Sequence, residues 1–229
     1  MISTRISIPT GEEEQVSGVI AAPEDHRPGT GTGIIIAHGA GNDMETPLIV
    51  SFARELAAAG FVTLRFNFPY KEKGRKAPDP QSRLMLTWQS AYRFLKENLR
   101  YRTHMIVGCG KSMGGRIASH MAAEGLLPVS RLIFLGYPLH AAGKKEKMKD
   151  AHLYHISAPM LFFAGTRDPL CDLGCLNTVI DRIDTPVELE IIQGGNHSFD
   201  VLKSLGTPAE EVYKKIAAKA TAWLCRSIT

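Results

Sequence analysis

Residues 104–116 read His104-Met-Ile-Val-Gly-Cys-Gly-Lys-Ser-Met-Gly-Gly-Arg116. The first half of this stretch is apolar and has the length of a strand, and the residues after it are typical of a helix. Between the two lies Gly110-Lys-Ser-Met-Gly114, a G-x-S-x-G pattern. At a strand-to-helix turn this pattern holds the serine hydroxyl above the sheet, and the glycines let strand and helix approach closely. Ser112 is therefore a candidate nucleophile; the alternative is a glycine-rich turn that only accommodates close packing.

Short apolar runs on both sides of this stretch predict further strands. The predicted strands are Arg5–Pro9, Val16–Ala22, Gly33–His38, Phe61–Asn67, His104–Cys109, Arg131–Gly136, Pro159–Gly165 and Val187–Gln193. From the third strand onward most runs are almost continuously apolar, as parallel strands with helices on both faces require. The first two are more mixed and close together, and they predict an antiparallel hairpin at the edge.

Amphipathic stretches between these runs predict helices. They are Pro47–Gly60 with Thr46 as its cap, Pro80–Arg100, Ser112–Gly125, Asp172–Ile183, and a last helix that begins at Thr207-Pro208. The alternation predicts an α/β fold: a three-layer, doubly wound, mostly parallel eight-stranded sheet in one domain over residues 1–229. Ligands of such sheets bind at the carboxyl ends of the strands.

The partners of a nucleophilic serine are expected at the ends of later strands, in the order serine, acid, histidine. Asp168 follows the strand that ends at Gly165, and Asp172 is the alternative acid, although its position is more typical of a helix cap. His197 follows the next strand and is the only histidine after Asp168. We therefore predict a catalytic set of Ser112, Asp168 and His197.

Backbone N–H groups near the serine are candidates for an oxyanion hole. Met113 follows Ser112 at the amino end of a helix, where the helix dipole favours negative charge. The second donor is expected in the loop after the third strand, which reads His38-Gly-Ala-Gly-Asn42. Ala40, or with less support Gly41, is the predicted donor, because small residues permit tight loop geometry. A simple glycine turn is the alternative.

Composition excludes several other classes of protein. The chain has 229 residues, 44% of them hydrophobic, and a formal net charge of +4, which argues against disorder. No apolar run has the length of a membrane span.

Four cysteines in a domain of this size predict reduced thiols, and their spacing does not suggest a metal site. With no secretory signal visible, we expect a cytoplasmic protein without cofactor or metal. Nucleic-acid binding is not expected, because the charge is only mildly basic and no recognition motif occurs.

Two loops hold most of the basic excess. Residues 71–83 carry five basic and two acidic residues, and residues 143–153 carry four basic and two acidic residues. Each loop follows a predicted strand, so both should lie on the face where a ligand binds. They either steer an anionic substrate towards the site or are simply solvated.

The motifs resemble those of the α/β-hydrolase superfamily over nearly the whole chain. The segments that carry the resemblance are His38-Gly-Ala-Gly41, Gly110-Lys-Ser-Met-Gly-Gly115, Gly165-Thr-Arg-Asp-Pro169 and Gly194-Gly-Asn-His-Ser-Phe199. Within it, the chain is similar to the small dienelactone-hydrolase-like branch, and to the group related to testis-expressed proteins and a subunit of the NSL chromatin complex. The resemblance implies a nucleophile, an acid and a base at Ser112, Asp168 and His197. True dienelactone hydrolases use a cysteine nucleophile, so the serine here implies a different substrate.

The expected activity is hydrolysis of a small-molecule ester or thioester through an acyl-Ser112 intermediate. The eight strands and their helices use almost all residues, which leaves no large cap and predicts an open, shallow site. The rival interpretation is a non-catalytic interaction module of the same fold. Retention of the serine, the acid and the histidine argues against it.

Overall fold

The computed structural model describes residues 1–202, 204 and 206–226. The strands are β1 (Ile2–Pro9), β2 (Gln15–Ala22), β3 (Thr32–Ala37), β4 (Val62–Phe66), β5 (Met105–Lys111), β6 (Arg131–Leu135), β7 (Met160–Gly165) and β8 (Val187–Ile192). They form one sheet in the order β1-β2-β4-β3-β5-β6-β7-β8. The predicted eight-stranded sheet is confirmed.

The sheet is parallel except at β2. This strand pairs antiparallel with both β1 and β4, whereas all pairs among the other strands are parallel. The predicted antiparallel hairpin therefore lies at the edge of the sheet. Every residue of β6 and β7 is buried, which explains why these strands are continuously apolar.

Helices cover both faces of the sheet. They are α1 (Pro47–Ala58), α2 (Pro69–Glu72), α3 (Gln81–Glu97), α4 (Met113–Ala123), α5 (Leu173–Ile180) and α6 (Ala209–Leu224), with a 3₁₀ helix at Ala151–His155. One apolar core joins the sheet to α3, α4 and α5, with Trp88 of α3 among its fully buried side chains. The other core joins the opposite face to α1 and α6 through residues such as Phe52 and Ile216. The protein thus has the three layers of the α/β-hydrolase fold.

The structure differs from the prediction at the starts of two helices and in two short helical segments. Thr46 occupies the position before α1 but does not cap it, because its hydroxyl donates to the Asp43 carbonyl at 2.8 Å. The position before α6 is Pro208 and not Thr207. The helix α2 and the 3₁₀ helix were not predicted, since four or five residues are too short to show helical periodicity. Among the described helices, none is long and apolar enough to cross a bilayer.

Candidate active site

Ser112 lies at a sharp turn between β5 and α4. Its φ of 50° and ψ of −114° place a non-glycine residue in a left-handed conformation, which costs free energy and is typical of functional sites. The Ser112 N–H donates to the Leu135 carbonyl at 3.2 Å, which ties the turn to the end of β6. The turn is a nucleophile elbow in its backbone geometry.

The glycines of the motif are required by the close approach of β5 and α4. A Cβ atom on Gly110 would lie 2.2 Å from the Gly115 nitrogen. A Cβ atom on Gly114 would lie 2.6 Å from the His38 carbonyl oxygen. Both distances are far shorter than any real Cβ contact, so a side chain at either position would push the helix away from the strand.

The structure brings the three predicted side chains together in one chain of hydrogen bonds. His197 Nε2 lies 2.8 Å from Ser112 Oγ, and His197 Nδ1 lies 2.8 Å from Asp168 Oδ2. Because an ionised carboxylate only accepts, Nδ1 carries the proton and Nε2 accepts the serine hydroxyl. The Asp168 side chain is fully buried, whereas the His197 side chain is 22% exposed. An imidazole that reaches solvent is thus oriented by a carboxylate that does not.

Asp172, the alternative acid, has a different position. Its carboxylate accepts the Cys175 N–H at 3.1 Å and forms the cap of α5. It also pairs with Lys145, and this hydrogen bond lowers the pKa of Asp172 to about 2. Asp172 therefore stabilises a helix start, while Asp168 contacts the imidazole.

The loop of residues 194–200, called here the histidine loop, is held by its own hydrogen bonds. The Asn196 side-chain oxygen accepts the N–H groups of Ser198 at 2.8 Å and Asp200 at 2.9 Å. Phe199 has a φ of 65°, and its ring is fully buried in the core against α1 and α6. These contacts anchor the loop that carries His197.

The loop after β3 lies directly against the serine. A Cβ atom on Gly39 would lie 3.4 Å from Ser112 Cβ. His38 is fully buried; its Nε2 accepts the Phe68 N–H at 3.1 Å, so Nδ1 donates to the Gly39 carbonyl at 2.8 Å. Burial lowers the pKa of His38 to about 4, which keeps the ring neutral in this role. The sequence did not indicate this function, because a histidine next to a glycine turn has no distinctive pattern.

The two candidate donors in this loop differ in their surroundings. Gly41 has a φ of 75°, and the hydroxyl of the buried Tyr70 lies against this loop. That hydroxyl donates to the Gly39 carbonyl at 3.4 Å, and burial raises the pKa of Tyr70 to about 12. Tyr70 thus holds the peptide group that contains the Ala40 N–H, and Ala40 stays the predicted donor.

A second serine–histidine pair, which the sequence did not predict, lies further along α4. Ser119 Oγ is 2.8 Å from His152 Nε2, and the same nitrogen is 3.0 Å from Tyr137 Oη. Ser119 is fully buried, and its hydroxyl is also within 2.8 Å of the Arg116 carbonyl. The His152 ring stacks on His120 at a centroid distance of 3.6 Å. This network ties α4 to the 3₁₀ helix.

The two basic loops are partly neutralised. Lys73 and Arg83 both pair with Glu14 from the β1–β2 turn, and Arg75 pairs with Asp79. Within the described part of the chain, the loop lysines that make no ion pair are Lys71, Lys76, Lys144, Lys147 and Lys149. The basic excess near the site is therefore smaller than the loop sequences indicate, because Glu14 comes from a distant turn.

Comparison with known proteins agrees with this architecture. Residues 30–225 match the family described as alpha/beta hydrolase domain. A dienelactone hydrolase from Anabaena variabilis is 22% identical, with a TM-score of 0.75 over 97% of this chain and 96% of that chain. An alpha-beta serine hydrolase homologue from Coxiella burnetii is 21% identical, with a TM-score of 0.71 over 100% of this chain and 99% of that chain. A serine hydrolase without a lid from Xanthomonas campestris is 17% identical, with a TM-score of 0.72 over 99% and 97%. The chain belongs to the alpha/beta hydrolase family.

Proposed function

We propose that this protein is a serine hydrolase that cleaves carboxylic esters or thioesters through an acyl-Ser112 intermediate. The observation that carries the proposal is the hydrogen-bond chain from Ser112 to His197 to Asp168, with both distances at 2.8 Å. Such a chain activates a hydroxyl that is otherwise a weak nucleophile. The strained elbow at Ser112 supports the same role.

The geometry suits a two-step acyl transfer. Ser112 Oγ attacks the carbonyl carbon while His197 Nε2 takes the hydroxyl proton, and the imidazolium then returns that proton to the leaving oxygen or sulfur. Asp168 holds the ring in the required tautomer and stabilises its charged form. A water molecule then attacks the acyl-Ser112 ester, with His197 again as base, and regenerates the free serine.

The tetrahedral oxyanion would be bound by the backbone N–H groups of Met113 and Ala40. Met113 is the first residue of α4, so the amino end of that helix points towards the developing charge. Gly39, the residue before Ala40, packs against Ser112, and this proximity supports Ala40 as the second donor. Removing one such donor typically costs about 3 kcal/mol of barrier.

The substrate class proposed here is a small ester or thioester, with a preference for anionic molecules. The five unpaired loop lysines support that preference, since fixed positive charges raise the local concentration of anions. An open site accords with a half-buried Ser112 and with the similarity to a hydrolase whose description states that it has no lid. We also propose the dienelactone-hydrolase-like branch related to testis-expressed proteins, and a cytoplasmic location, which four free cysteines support.

Covalent labelling by a fluorophosphonate probe tests the proposal. The probe reacts with an activated serine, so the wild-type protein should be labelled and Ser112→Ala should not be. Ser119→Ala is a matched control, because Ser119 is equally close to an imidazole nitrogen but lies fully buried. That variant should keep its labelling.

Two results would contradict the proposal. Absence of labelling in folded wild-type protein would favour a non-catalytic interaction module. If Ser119→Ala lost its labelling while Ser112→Ala kept it, the reactive serine would be Ser119 and not Ser112. Thermal unfolding of each variant shows whether a negative result comes from loss of the fold.

A further inference from the structure

Lys111, the residue before Ser112, is a lysine in an unusual place. It ends β5 and is only 6% exposed. Its stem passes the loop after β3, where a Cβ atom on Gly39 would lie 3.5 Å from Lys111 Cγ. The side chain thus runs beneath the candidate active site and not out into solvent.

The ammonium group of Lys111 lies next to the imidazole of His197. Both groups surround Gly136, the residue after β6. A Cβ atom built on Gly136 would lie 3.1 Å from Lys111 Nζ and 3.6 Å from His197 Nδ1. Lys111 Nζ is therefore no more than about 7 Å from Nδ1 of the ring that would become an imidazolium during the reaction.

This ammonium group has no acidic partner in contact. Among the described residues, no carboxylate lies within ion-pair distance of Nζ, and the Phe199 ring centre lies 5.8 Å away. Burial lowers the pKa of Lys111 to about 8, and the charge of Asp168 opposes part of that effect. Both protonation states of Lys111 are thus accessible in mildly alkaline solution.

The other groups around Lys111 can be identified element by element. The loop after β7 contributes Asp168, and the histidine loop contributes His197. The loop after β3 contacts Lys111 through Gly39, and the neighbouring His38 ring is neutral because burial lowers its pKa to about 4. Gly136 after β6 carries no charge.

We propose that Lys111 is a positioning residue that acts through His197: its ammonium charge restrains the reaction by opposing imidazolium formation, and loss of its proton to solvent releases that restraint. The inference rests on the proposed hydrolase function. A unit charge about 6 Å from a developing charge, in a partly exposed site with an effective dielectric constant of about 40, changes the rate by about tenfold. The restraint therefore makes activity respond to mildly alkaline pH.

The test is the pH dependence of kcat/KM for a short aryl ester between pH 6 and 10, after subtraction of the spontaneous rate. Wild-type protein should show a rise of about tenfold centred near pH 8, in addition to any limb at lower pH. Lys111→Met should lack this rise and should exceed the wild-type kcat/KM by about fivefold at pH 7, where about a tenth of Lys111 is already neutral. Lys111→Gln is a second neutral variant in case the thioether side chain disturbs folding.

Lys96→Met is the matched control, because Lys96 is exposed on α3 and its loss changes the net charge equally. It should keep the wild-type profile. An unchanged profile in folded Lys111→Met and Lys111→Gln would overturn the inference while leaving the hydrolase function intact. Absence of ester hydrolysis and of probe labelling in wild-type protein would instead overturn the proposed function.

Discussion

Gly165→Ala tests how closely the acid and the base depend on each other's backbone. Gly165 ends β7, three residues before Asp168, and it faces the histidine loop. A Cβ atom at this position would lie 2.2 Å from the Gly195 carbonyl oxygen, two residues before His197. That oxygen also accepts the Arg167 N–H at 2.9 Å. The substitution therefore disrupts the contact between the loop that carries Asp168 and the histidine loop.

The size of the effect follows from these distances. To reach 3.0 Å, the shortest separation that Cβ atoms show, the histidine loop must move by about 0.8 Å. The Ser112–His197 distance of 2.8 Å would then lengthen beyond the range of a good hydrogen bond. A displacement of about 1 Å in a reacting group lowers the rate by about 100-fold. Stability should fall by about 1–3 kcal/mol, the usual cost of adding a methyl group at a closely packed position.

Ester hydrolysis and thermal unfolding of the same preparations measure both effects. Gly11→Ala is the matched control, since a Cβ atom there would have its nearest neighbour at 4.0 Å. It should leave kcat/KM unchanged. If folded Gly165→Ala keeps kcat/KM within threefold of wild type, the reasoning is refuted, because the base would then not depend on this contact.

Two further predictions concern the two candidate acids and the loop after β3. Asp168→Asn should lower kcat by about 10³- to 10⁴-fold, whereas Asp172→Asn should retain activity and lose at most about 1 kcal/mol of stability; the reverse pattern in ester kinetics and thermal unfolding would exchange the roles. For His38, burial lowers the pKa to about 4 in the folded state. As the pH falls, His38 takes up a proton in the unfolded chain before it does so in the folded protein. The free energy of unfolding should therefore decrease between pH 6.5 and pH 4, by up to about 3 kcal/mol. Urea unfolding at pH 7.0 and 4.5 should show a smaller loss in His38→Gln, and an equal loss would contradict the assignment.

Several features of the site follow from the order of strands alone. In a parallel sheet all carboxyl ends meet at one edge, so Ser112, Asp168 and His197 were expected to converge although 85 residues separate the first from the last. The strand boundaries also differed little from the predicted ones. The hydrophobic pattern is strong in these strands because both faces are covered.

Other features depend on contacts that no local pattern contains. The pairing of Glu14 with Lys73 and Arg83 joins positions 59 and 69 residues apart, so the neutralisation of the basic loop could not be read from its composition. The burial of Lys111 is equally hidden, because a lysine inside a G-x-S-x-G pattern carries no sign of where its stem goes. In each case the tertiary structure alone decides which charges meet.

The serine–histidine pairs of Ser112 and Ser119 show that a short hydrogen bond does not identify a nucleophile. Both oxygens lie 2.8 Å from an imidazole Nε2. Burial lowers the pKa of His152 to about 4, which makes it a weak base, and its Nε2 also contacts Tyr137. His197, in contrast, contacts the buried Asp168 carboxylate through Nδ1, and its partner Ser112 is held at a positive φ. An attacking oxygen needs access and a base that can hold the proton, and these conditions separate Ser112 from Ser119.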